Sequence, residues 1–177
     1  LGDNIYTDGL PPEDDPRRAE AEARLQVQID AVTGIPGRTV FVPGNHDWKH
    51  SREGGLEQVR RQEAFVEAAL GAGTFLPSNG FPGPVAIDLT DDLRLLVIDT
   101  EWWLGHFARG EGDDPEAEAS YGTDDDFLLA LADAVERAGD RRVLVVGHHP
   151  ILSEGDHSGV ARPSRHFFPL RALHPKA

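Results

Sequence analysis

Short apolar runs that stop at a cluster of polar side chains constrain this chain more than any other feature. At positions 40–48, Val40, Phe41 and Val42 carry the β-branched and aromatic bias of a core strand, and Pro43-Gly44 ends the ladder and permits a sharp reversal. Asn45, His46 and Asp47 follow at once. They bring an amide oxygen that can face a metal, an imidazole that can ligate or shuttle a proton, and a carboxylate that can orient that ring or bind a metal itself. Open α/β sheets place their sites at such strand ends. Taken alone, Asn-His-Asp reads first as a polar loop, so the rest of the chain has to decide.

The remaining pattern alternates helix and strand. After a polar opening, Leu1-Gly2-Asp3-Asn4-Ile5-Tyr6, placed where a strand would just have ended, Pro16 suits a first helical turn. Leu25, Ile29 and Val32 then recur at helical spacing up to Gly34, which predicts a helix over 16–33 leading to a strand at 39–42. A second helix is expected over 56–70, with Val59, Val66 and Leu70 on one side, and a Pro- and Gly-rich connection over 75–84. Runs at 85–89 and 93–99 around Thr90-Asp91-Asp92 read as a hairpin buried on both faces. Its second strand again ends in polar groups, Asp99-Thr100-Glu101, ahead of Trp102-Trp103, which would line a pocket mouth with at least one of them in the core.

Residues 105–122 are acidic, glycine-containing and aperiodic, so they read as a mobile loop with a solvated surface. Thr123 can cap a helix whose first turn holds three aspartates and whose apolar face is Phe127 or Leu128, Leu131 and Val135. A core strand at 142–146 ends in Gly147-His148-His149-Pro150, and 151–169 reads as an exposed loop beside a site.

Composition narrows the function. The 177 residues suit one domain, and 39% hydrophobic with 27% charged residues fits a globular chain. No apolar run approaches the roughly 20 residues of a membrane helix. A net charge of −14 argues against broad nucleic-acid binding, though a local metal site could still bring phosphates in. With no cysteine, any metal must be held by oxygen and nitrogen. The absence of methionine and the opening on Leu-Gly-Asp-Asn lead us to expect a piece of a longer protein.

Three strand ends therefore carry ligand-type side chains: Asp3 with Tyr6, Asn45-His46-Asp47, and His148-His149. Neighbouring strands lie about 4.8 Å apart, so these groups can converge on one or two ions. Oxygen donors mixed with imidazole suit iron, zinc or manganese. A carboxylate such as Asp3 can bridge two metals, and ions about 3.5 to 4 Å apart can clamp a phosphate for in-line displacement.

Gly2-Asp3-Asn4-Ile5-Tyr6, Gly44-Asn45-His46-Asp47 and Val145-Val146-Gly147-His148 resemble, in order, three blocks of the calcineurin-like metallophosphoesterase superfamily. Gly-Asp-x-x-Tyr and Val-x-x-His are closest to the purple acid phosphatase form, and residues 99–104 with His149-Pro150 resemble acid-phosphatase-like bacterial members. The resemblance implies an α/β fold, a β-sandwich flanked by helices in an incomplete four-layer αββα domain, spanning 1–177 as a single domain truncated at both ends. It implies two divalent or trivalent ions, iron with zinc, manganese or a second iron. Asp3 would bridge them, Asn45 and His148 would bind the second, and Tyr6 would bind the first unless it merely packs on the sheet. His46 would be the proton donor to the leaving alkoxide, Asp47 would hold its ring, and a metal-bridging hydroxide would attack.

His149 and His157 would face a small phosphate-ester substrate or lie on loop surface, while His50, His106, His166 and His174 receive no role. The implied activity is phosphomonoester hydrolysis, with a phosphodiesterase or a non-catalytic scaffold with a decayed site as alternatives. The family's first block, Asp-x-Gly or Asp-x-His, and its last, Gly-His-x-His, are not in the sequence. The expectation is thus a dinuclear enzyme at full length and weak metal binding by these residues alone. A nucleotide-cofactor protein is disfavoured, since no Gly-x-Gly-x-x-Gly or P-loop follows any strand.

Overall fold

Two amphipathic helices form the layer on which the polar turns rest. Helix α1 (Arg18–Val32) buries Ala21, Leu25 and Ile29, one side chain per turn along a single stripe. Helix α2 (Gly55–Leu70) buries Val59 and Val66 together with Gln58, Gln62 and Glu63. Both helices fall where the periodicity predicts them. The computed structural model describes residues 2–105 and 123–150.

The sheet comes later in the chain. Strands β1 (Val85–Thr90) and β2 (Leu93–Val97) pair antiparallel with Val85 opposite Val97, and β3 (Arg142–Val146) joins the other edge of β2 in parallel, with Val97 opposite Val146. A parallel partner needs a crossover. Here it includes the short helix α3 (Thr100–Leu104) and helix α4 (Asp124–Glu136), which Thr123 caps by accepting the Asp126 N–H at 3.2 Å. The described residues thus form a mixed α/β structure with one three-stranded sheet, ordered β1-β2-β3, and four helices. Among them no helix is long and apolar enough to cross a membrane.

Four expectations need correction. The strand predicted at 39–42 is reduced to a single parallel bridge between Phe41 and Phe75. The Phe41 N–H and carbonyl bond to Thr74 and Leu76, but the Val42 carbonyl accepts the Asn4 amide and Pro43 has no N–H to offer, so the ladder stops. The hairpin is not buried on both faces, since β1 buries only Ile87 and Leu89 is 43% exposed, and β3, expected as a core strand, leaves Leu144 50% and Val145 42% exposed. Asp99 belongs to the cap of α3 rather than to β2. On α4, Phe127 is fully buried and Leu128 and Leu131 pack against the core, whereas Val135 is exposed. The expectations for 106–122 and for 151–169, His157 included, lie outside the described residues.

The main core joins Leu25 and Ile29 of α1 and Val59 and Val66 of α2 to Phe41, Trp48, Phe75, Trp102, Trp103 and Phe127. Trp102 and Trp103 are thus both core, with their rings 6.2 and 5.2 Å from Phe127. A buried carboxylate organises the polar end of this core. Asp99 Oδ1 accepts the N–H groups of Glu101 and Trp102 at 3.0 and 3.1 Å, and Oδ2 accepts the Trp48 indole N–H at 2.6 Å. One side chain therefore caps α3 and locks the indole that follows Asp47.

Burial pushes the Asp99 carboxyl up to about 7, against those three donors. An unfolded Asp ionises near pH 4, so from there to about 7 the folded state keeps a proton that the unfolded state has lost. This stabilisation is complete at low pH and disappears as the pH rises through that window. Urea denaturation followed by tryptophan fluorescence is expected to show a midpoint falling across it, with a flatter profile in Asp99→Asn, which cannot titrate. Asp99→Ala, which strands the indole and two backbone donors, is expected to cost about 3 kcal/mol.

Candidate metal centre

One carboxylate ties the opening segment to the Asn-His-Asp turn. Asp47 is fully buried. Its Oδ2 accepts the Asn4 and Gly44 backbone N–H groups at 3.0 and 2.9 Å and the Asn4 side-chain amide at 3.1 Å, while Oδ1 accepts the Ile5 N–H at 3.1 Å. Burial pushes this carboxyl up to about 6, against its backbone donors. All of its hydrogen bonds are spent on joining two segments, which corrects the expected role of holding the His46 ring. That ring is held instead by the Thr7 carbonyl, 2.6 Å from Nδ1. A backbone acceptor contributed by another segment leaves no signal in the sequence.

The tie delivers Asp3 to the centre of the site. Asp3 has φ +54, a left-handed conformation that a non-glycine residue keeps only when its surroundings impose it. Its two oxygens face different partners. Oδ1 accepts the His46 backbone N–H at 3.0 Å and lies 3.3 Å from His148 Nε2; Oδ2 accepts the Tyr6 hydroxyl at 2.9 Å and lies 3.9 Å from His46 Nε2. That carboxylate, by hydrogen bond and charge, raises the Tyr6 pKa.

His148 enters from the end of β3, its Nε2 3.1 Å from Asn45 Oδ1. Two glycines make its place. A side chain on Gly2, at φ +82, would run into the His148 ring, and one on Gly44 would run into Asp3 and stand 2.9 Å from His148 Cε1. The glycines of Gly-Asp and Gly-Asn thus let three segments meet.

The donor set fits a cation. Two oxygens, Asp3 Oδ1 and Asn45 Oδ1, lie within 3.3 Å of the imidazole nitrogen of His148. Ligands at right angles around an ion at about 2.1 Å are about 3 Å apart, close to the two separations from His148 seen here. On the other side Asp3 Oδ2 stands next to the Tyr6 oxygen. Among the described residues no group of three or more His, Cys, Asp or Glu side chains could hold a metal, so any site here depends on the amide and the phenol.

The surroundings include groups that sequence reasoning passed over. The His46 ring sits 4.1 Å from Tyr6 and 4.3 Å, edge-on, from His50. His50 Nδ1 accepts the Asn45 side-chain N–H at 3.1 Å, and burial, the larger cause, lowers its pKa. His149 turns toward α3, with Nδ1 2.9 Å from the Thr100 hydroxyl and Nε2 3.7 Å from Glu101, whose other oxygen accepts the Ser51 hydroxyl at 2.6 Å. Burial foremost raises the Glu101 pKa. The structure therefore brings together Asp3, Tyr6, Asn45, His46 and His148, sets Asp47 beneath them, and places His149 beside them.

No family model, no curated protein and no solved structure matches this chain.

Asp47→Ala is expected to destabilise the fold by at least about 3 kcal/mol, since it strands three backbone donors, whereas His46→Ala should change the urea midpoint little. Gly44→Ala, which drives a methyl group into Asp3, is expected to weaken Mn²⁺ binding in calorimetry well beyond its loss of stability.

Proposed function

We propose that the chain carries a metal-dependent phosphoesterase site, acting on small phosphate monoesters in the manner of an acid phosphatase, on a calcineurin-like αββα framework. The observation that carries this reading is the meeting of Asp3, Asn45 and His148 donor atoms, with His46 Nε2 turned toward the same Asp3 carboxylate. The half-exposed Leu144 and Val145 of β3 agree with a sheet that packs against a second one.

Asp3 would bridge two ions, Asn45 and His148 would hold one, and Tyr6 the other. Bound there, iron with zinc, manganese or a second iron would supply charge neutralisation for the phosphate and an activated water. The chain's own contribution is proton delivery. The Thr7 carbonyl holds the Nδ1 proton of His46, so Nε2 is the nitrogen free to face substrate. From the imidazolium form, Nε2 gives its proton to the leaving alkoxide and the ring ends neutral. The Tyr6 and His50 rings pack against it and restrict its turning.

Metal analysis and an absorption spectrum of the full-length protein, with hydrolysis of p-nitrophenyl phosphate and its diester in parallel, test the proposal. Bound metal, a tyrosinate-to-iron band and faster monoester turnover are expected. His46→Ala is expected to lower kcat by about 10²- to 10⁴-fold with metal content unchanged. A folded but colourless and metal-free protein overturns the reading.

A further inference from the structure

We propose that His50 is a positioning residue that decides which end of the Asn45 amide faces the metal centre; the inference rests on the metal reading above. An asparagine amide is nearly symmetric in shape but not in chemistry, because only its oxygen can ligate a cation while its NH₂ group turns donor hydrogens toward it. Its last torsion is broad and close to two-fold, so a half-turn meets little steric resistance. The neighbours at the two ends must therefore make the choice.

Both neighbours are imidazoles. At one end Asn45 Oδ1 lies 3.1 Å from His148 Nε2, and at the other Asn45 Nδ2 lies 3.1 Å from His50 Nδ1. For that second contact to be a hydrogen bond, His50 Nδ1 must be the acceptor, so its ring is neutral with the proton on Nε2. In that state His50 can pair only with the NH₂ end, and the oxygen is left pointing at Asp3 and His148. Outer partners of this kind commonly orient metal ligands.

The chain is bent to bring this ring into place. Lys49, His50 and Ser51 have φ values of +53, +55 and +54, a left-handed turn that side-chain-bearing residues rarely adopt in succession. The turn folds the His50 N–H back onto the Asn45 carbonyl at 2.6 Å, so backbone and side chain of His50 both grip the same residue. It is secured from outside by the Ser51 hydroxyl on Glu101 at 2.6 Å. Gly105 packs so closely against Ser51 that a side chain there would collide with its hydroxyl. A turn sustained in a strained conformation by contacts on both sides is what a device for presenting one side chain requires.

Two measurements on the full chain test the assignment. Nitrogen-15 NMR of the metal-free protein reads the His50 tautomer directly, and an unprotonated Nδ1 is expected; a protonated Nδ1 overturns the proposal without any mutant. Calorimetric Mn²⁺ binding is then compared among wild type, His50→Gln, which keeps an acceptor, and His50→Phe, which keeps a ring but loses it. His50→Phe is expected to bind about 10- to 100-fold more weakly, and His50→Gln close to wild type. The comparison is repeated in Asn45→Asp, whose carboxylate offers an oxygen at either end and so needs no orienting partner; there the penalty of His50→Phe is expected to shrink. An unaffected His50→Phe, or an equal penalty in both backgrounds, overturns the inference alone. A wild type that binds no Mn²⁺ overturns the metal reading and the inference together.

Discussion

The buried carboxylate of Asp47 is the interaction on which the rest of the site depends. Burying a carboxylate is costly unless hydrogen bonds replace the lost water, and Asp47 collects them from Asn4, Ile5 and Gly44. Those donors belong to two segments that share no ladder with each other. Asn4 extends the tie through its own amide to the Val42 carbonyl. The outcome is a polar joint in place of a strand pair, and Asp3 is held out of it in a left-handed conformation. Asp3 reaches both His148 and Tyr6 because the residue beside it is pinned.

A second joint of the same kind lies on the other side of the turn. Asp99 caps α3 and holds the Trp48 indole, and the next two residues of α3 reach further: Glu101 to Ser51 and Thr100 to His149. The short helix thereby links the turn at 45–51 to the end of β3. Two buried acids flank the candidate centre, and burial raises both, to about 6 for Asp47 and about 7 for Asp99. Each keeps its proton to a higher pH folded than unfolded, so the joints hold best on the acid side.

Periodicity made most of the framework legible. Leu25, Ile29 and Val32 located α1, the glycine at 71 closed α2, and Thr123 with three aspartates marked the start of α4, because caps and apolar stripes are local features. The hairpin was readable from its turn residues for the same reason. The strand at 39–42 was not, because a ladder exists only where a neighbour supplies donors and acceptors, and here Asn4 took the Val42 carbonyl. Burial of the sheet failed similarly: Val and Leu in β3 show that a face is apolar, not that anything among the described residues covers it.

What the sequence determined by itself was the inventory and its placement: Asp3 after Gly2, and Asn45, His46 and His148 after glycines at the ends of apolar runs, with no thiol to compete as a ligand. The chemistry of a side chain travels with its identity, and glycine's freedom to turn is a property of the residue. Tertiary structure alone decided which groups hold which. It gave Asp47 to the backbone of another segment, gave the His46 ring to the Thr7 carbonyl, and turned His50, to which the sequence assigned nothing, onto the Asn45 amide. Hydrogen-bond partners are settled by distance and direction across the fold, and neither is written in residue type or spacing.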